Sequence, residues 1–92
     1  MKEFIITFVE KNFSKTENTS LNIFANNIAE ALLFSLEKLN KKEELYLIND
    51  IYKLGLSEQL FLYNIQTILY KYTFVIREII NNEEKIVWKS QV

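Results

Sequence analysis

Along residues 3–11, EFIITFVEK, apolar side chains alternate loosely and are drawn from Ile, Phe and Val. β-Branched and aromatic residues in a short run favour a strand. Phe4, Ile5, Phe8 and Val9 also fit one helical face, so a helix stays open as the alternative. Residues 12–19, NFSKTENT, are polar and turn-like. The next stretch admits two readings. Leu21, Phe24, Ile28, Leu32, Leu36 and Leu39 recur at helical spacing, which draws one amphipathic helix over 20–40. In the other reading Leu21, Ile23 and Ala25 alternate with Asn22 and Phe24 as a short strand. Asn27 then caps a helix, with Glu30 completing a capping box. A helix over 27–40 is common to both.

In residues 41–54, KKEELYLINDIYKL, Leu45, Ile48 and Tyr52 share a stripe, with Leu47, Ile51 and Leu54 beside it. Glu43 and Glu44 stand in the first turn, where the helix dipole favours acids. Tyr46, Ile48, Asp50 and Tyr52 also alternate, so a strand over 45–52 is the rival. Gly55 favours the helix, because a glycine just past a helix end takes a positive φ, with Leu56 as its apolar partner. Ser57 is a good cap for a further helix over 57–71, where Phe61, Ile65, Ile68, Leu69 and Tyr72 keep helical intervals.

The last segment predicts a β-hairpin: TFVIREII and KIVWKS flank NNEE. A four-residue loop places Arg77 opposite Trp88 and Ile79 opposite Ile86, with Glu78 diagonal to Lys85 and Lys89. Val75, Ile79, Ile86 and Trp88 then share one face, and Phe74, Ile76, Ile80 and Val87 the other. A hairpin apolar on both faces needs cover on both, which a second chain could supply. The expected fold class is therefore α+β: two or three helices packed with a C-terminal β-hairpin, joined by an N-terminal strand if residues 3–11 are extended. With 92 residues and no proline, repeat or linker, a single domain over 1–92 is expected.

Composition narrows the chemistry. The chain is 49% hydrophobic and 25% charged, an ordinary globular balance. It has no histidine and no cysteine, so the usual zinc ligands are missing. A nucleophile and its base would have to come from Ser, Lys, Asp, Glu or Tyr. Glu43 with Glu44 and Glu83 with Glu84 are sequence neighbours that diverge on a helix or turn, and Ser57 is explained as a cap. One glycine cannot build a Gly-rich phosphate loop. These points predict a non-catalytic protein with no metal, cofactor or small-molecule substrate. The apolar run Phe4–Val9 is too short for a signal core, and no stretch nears the roughly 18 apolar residues of a membrane span. A soluble cytoplasmic protein is expected.

From residue 42 onward the order is helix, glycine turn, helix, hairpin. The turn LGLS, Leu54–Ser57, resembles that of the winged helix-turn-helix family between its second and third helices. Ile51 stands four residues before Gly55, where that family has a small residue. The resemblance covers residues 42–91, and it implies a wing at 73–90. It also implies a transcription regulator whose helix 57–71 enters the DNA major groove.

Charge favours a different preferred reading. The formal net charge is −1, from ten lysines and the single Arg77 against twelve acids. Helix 57–71 carries Glu58 and, only at its end, Lys71; its exposed face reads Gln59, Tyr63, Gln66, Thr67 and Tyr70. Glutamine can read adenine, but phosphate contacts supply most non-specific affinity. Only Lys53, Arg77, Lys85 and Lys89 could add cations from outside. The preferred function is a small interaction module, self-associating, that binds a protein partner through an aromatic and amide-rich face. Gln59, Tyr63, Gln66, Thr67, Tyr70, Arg77, Lys85, Trp88 and Lys89 are its candidate residues. Aromatics are enriched at interfaces, although at these spacings they also serve as core. DNA binding is the alternative. Small size and an Asn-, Lys- and Ile-heavy composition also associate the chain with phage or mobile-element proteins that inhibit a host complex.

Overall fold

Phe4, Ile6 and Phe8 alternate with Ile5, Thr7 and Val9, and this period of two makes β1 (Lys2–Glu10) a strand with one fully buried face. In the computed structural model, which describes residues 1–10 and 18–90, β1 is central. It pairs antiparallel with β2 (Asn18–Ala25) on one side and with β3 (Tyr72–Ile80) on the other. β3 continues to β4 (Glu83–Lys89), which gives the strand order β2-β1-β3-β4. Three helices run between β2 and β3 in sequence: α1 (Ile28–Lys38), α2 (Lys42–Tyr52) and α3 (Glu58–Ile68). The fold is α+β, with a four-stranded antiparallel sheet and the helices on one side of it.

Alternation fixes which strand residues meet the helices. Phe4, Ile6, Phe8, Ile23, Ala25, Phe74 and Ile76 are buried in one cluster with Leu32, Leu36, Ile48, Phe61, Leu62, Ile65 and Leu69 from the helical segment. Each fully buried Leu, Ile or Phe contributes about 1.5–3 kcal/mol relative to exposure. Rings order part of the core: Phe74 stacks on Trp88 at 4.8 Å and lies 5.9 Å from Phe8. The opposite sheet face, with Ile5, Val9, Val75, Arg77 and Ile79, carries no helix among the described residues and leaves Phe24 and Ile86 exposed.

Local signals explain the helix ends. Asn27 accepts a 2.8 Å hydrogen bond from the Glu30 N–H, and the Glu30 carboxylate accepts one from the Asn26 N–H. The capping box is therefore closed one residue earlier than expected, on Asn26. At the other end of α1, Asn40 adopts φ 58°. The Asn40 N–H then donates to the Glu37 carbonyl and the Lys41 N–H to the Leu36 carbonyl, a Schellman closure. Gly55 takes φ 69° after α2, and Ser57 caps α3 by accepting from the Leu60 N–H.

The structure decides between the open readings. Residues 2–10 are strand, the short-strand reading of 21–25 is correct, and 42–52 is helix. The long helix over 20–40 is replaced because Leu21, Ile23 and Ala25 face the core with period two. Of the turn expected over 12–19, Asn18 and Thr19 belong to β2, and 12–17 lie outside the described residues. Helix α3 stops at Ile68, short of residue 71, with Leu69 at its C-cap.

The hairpin register is the main correction. The turn is two residues long, Asn81 and Asn82, with φ 52° and 66°. Such a pair of left-handed residues matches the right-handed strand twist, and asparagine tolerates it. Glu83 and Glu84 are thus strand residues, and Glu78 faces Lys85 directly. A register shift follows: Arg77 is opposite Ile86, whereas Ile76 is opposite Trp88. The extra residue, Val87, turns with Trp88 toward the core instead of alternating with it. Arg77 opposite Trp88 and Ile79 opposite Ile86 are both overturned. Ser90 closes the strand end: it donates its N–H to the Phe74 carbonyl and accepts the Phe74 N–H on Oγ.

Candidate functional site

The face of α3 turned away from the core follows from helical spacing. Phe61, Leu62 and Ile65 are buried, so Gln59, Tyr63 and Thr67, at intervals of four, form the exposed ridge. Gln66 flanks the ridge, half-buried. The Tyr63 ring is 65% exposed. Thr67 donates its hydroxyl to the Tyr63 carbonyl and Asn64 its amide to the Leu60 carbonyl, so both polar chains are held against the helix. Tyr70 lies beyond the helix, in the turn before β3, and is 66% exposed. It joins Glu43, Glu44, Leu47, Ile68 and Lys71 around a shallow depression between α2 and the end of α3.

The remaining candidates do not gather there. Arg77 alternates with the buried Ile76 and belongs to the helix-free sheet face; Lys89, paired with Val75, is on that face too. Lys85 stands across from Glu78, near the Lys2–Glu78 ion pair at 3.9 Å. Trp88 is half-buried and stacked on Phe74, because the Val87 bulge turns it inward. The structure thus brings together Gln59, Tyr63, Gln66 and Thr67, sets Tyr70 nearby in sequence, and separates Arg77, Lys85, Trp88 and Lys89 from them.

A larger exposed feature extends beyond the candidate residues. Of thirteen large apolar side chains exposed across the described residues, eight fall between Tyr46 and Tyr70. Leu47, Leu54 and Leu60 are each more than half exposed. Leu47 stands on α2 and Leu54 in the turn after it; the sequence grouped both with Ile51 as a stripe beside the core one, and the structure leaves the two leucines in water. Tyr52 is half-exposed, its ring edge-on to Phe61 at 5.7 Å.

Electrostatics around the helices are quiet. Lys41, before α2, sets its ammonium 5.4 Å from the Tyr72 ring centre. Hydrogen bonding to the Tyr72 hydroxyl raises its pKa above the ordinary lysine value; partial burial opposes this, and Glu44 and Glu10 add to it. Among the described residues no group of three His, Cys, Asp or Glu could hold a metal, and no buried side-chain polar atom lacks a partner. No helix among them is long and apolar enough to cross a membrane.

No protein-family model, curated protein or solved structure matches this chain. Its surface is therefore read from its own residues alone.

Proposed function

We propose that the chain is a small non-catalytic interaction module that docks on a protein partner through the outer surface of α2 and α3. One observation carries the reading: the concentration of exposed leucines and tyrosines between residues 46 and 70, on helices whose cations are few. Tyrosines are enriched among the residues that carry binding energy at interfaces, and each leucine a partner covers adds roughly 25 cal/mol per Å² of apolar area removed from water. A phosphate-gripping surface needs cations in register with the backbone of a nucleic acid. Helix α3 itself holds no lysine or arginine; Lys41, Lys42, Lys53 and Lys71 stand at or near the ends of the helices, and Arg77 and Lys89 lie on the far face of the sheet.

A winged-helix regulator of DNA is the second reading. Its support is the order α2, glycine turn, capped α3 and hairpin, with Gly55 at φ 69° and Ser57 as cap. The hairpin is less free than a wing, since β3 pairs with β1 along eight residues.

Titration into labelled duplex DNA separates the two. On the module reading no complex forms even at about 50 mM salt, where phosphate contacts are strongest. Binding that weakens steeply by about 200 mM salt would put the regulator first. A photo-crosslinker at Tyr63 should join the chain to protein, and the same crosslinker at Lys85 should not.

A further inference from the structure

The sheet has two outer strands, and they are protected unequally. β4 carries Glu83, Glu84, Lys85 and Lys89, and its pairing with β3 is broken by a bulge. Charges and bulges are the devices by which edge strands avoid pairing with another chain. β2 has neither. Its sequence, NTSLNIFA, holds no charged residue and no proline, and it pairs with β1 in one unbroken register from Asn18 to Ala25. No described strand occupies its other side.

Exposed rings flank this edge above and below. Phe24 points to the open sheet face, 58% exposed, and Phe34 projects from α1 on the helix side, 37% exposed. Asn22, Ile23 and Phe24 of the strand and Phe34, Glu37 and Lys38 of the helix line one concavity along the edge.

We propose that a second copy of this chain occupies that edge, with β2 pairing antiparallel to β2 about a two-fold axis to form one eight-stranded sheet. Opposed residues of antiparallel strands share a face. Leu21, Ile23 and Ala25 of both copies therefore meet on the helix side, and Ser20, Asn22 and Phe24 on the open side. Charge selects a like partner. Glu37 and Lys38 both line the concavity at this edge, so each copy brings one acid and one base there, with no net charge to repel a like partner and an opposite charge on the other copy for each to pair with. Flanking pairs of this kind fix orientation more than they add affinity, while the uncharged strand has no ion to dehydrate. An isologous contact of this form closes at two copies.

The pairing extends the reading of the chain as an interaction module, but it uses a different surface, so the two fail separately. Sedimentation equilibrium of the full chain should give twice the 11.0 kDa monomer mass at high concentration. Asn22→Lys is the edge variant. Asn22 donates to the Glu3 carboxylate at 2.8 Å; lysine exchanges that exposed bond for an ammonium that must be dehydrated when a second strand covers the edge. It should weaken the dimer at least tenfold with unchanged circular dichroism. Glu37→Lys should weaken it several-fold, and Glu37→Lys with Lys38→Glu should restore it. Tyr63→Ala should leave the dimer constant unchanged. A monomeric mass at every concentration overturns the proposal, and so does a dimer indifferent to Asn22→Lys. Neither result touches docking at α2 and α3, which the Tyr63 crosslink reads on its own.

Discussion

α1 and α2 are both eleven residues long and are separated by three residues, yet α1 buries six side chains and α2 only Ile48. Both are amphipathic, so pattern does not make the difference. Position does. α1 packs on β1, β2 and both other helices, whereas α2 leans chiefly on α1 and α3. The ends differ as well: α1 has a side-chain cap at Asn27 and a Schellman closure at Asn40, and α2 begins without a side-chain cap. Isolated helices this short are marginal in water. α1 is held by the core, and α2 stays partly available, its leucines and tyrosines still in water.

The largest test of that contrast is truncation of one fully buried residue in each helix. Leu32→Ala should cost about 3 kcal/mol in urea unfolding, a value typical of a buried Leu→Ala cavity. In a domain of this size the melting temperature should fall roughly 4–8 °C for each kcal/mol. Ile48→Ala should cost less, about 2 kcal/mol, because α2 leans chiefly on two helices that can close over the cavity, and not on the sheet. Hydrogen exchange should show its effect confined to α2 amides while the strands keep their protection. Equal loosening of β1 amides in both variants would mean that α2 is as central as α1. A smaller effect sits at the cap: Asn27→Ala should cost about 1 kcal/mol.

The smallest concerns Lys41, at the start of α2. Its pKa is raised in the folded state, so the stability it contributes is fully present below the ordinary lysine range and is lost as pH climbs through the folded value. Lys41→Met should therefore differ from the natural chain near neutrality and converge with it in strong alkali, by thermal melting at matched pH. A constant difference across that range would detach Lys41 from Tyr72.

Signals confined to a few residues were legible. Asn27 with Glu30, Gly55 and Ser57 each mark a helix end by their own chemistry, and each occupies that role. The ridge Gln59–Tyr63–Thr67 followed from period alone. Three features were not legible, for identifiable reasons. Phe24 lies on the open face of β2 yet keeps helical spacing with Leu21 and Ile28, so the short strand hid inside a longer apparent helix. The Val87 bulge reverses parity, which turned Trp88 from a surface ring into a core one. The separation of Arg77 and Lys89 from α3 depends on which sheet face the helices cover, and no single segment encodes that. Leu47 and Leu54 looked like core because a leucine at helical spacing normally is.

The central place of β1 reaches beyond the native state, to biosynthesis. Glu3 lies opposite Ile79, so β1 waits for β3, made only after β2 and three helices, before both its sides are paired. Until then FIITFV, residues 4–9, stands with one flank bare: an uncharged hexamer of high β-propensity, the kind of segment that seeds intermolecular aggregates. Lower growth temperature and added chaperone during translation should therefore raise the soluble yield, by shielding that flank until β3 arrives.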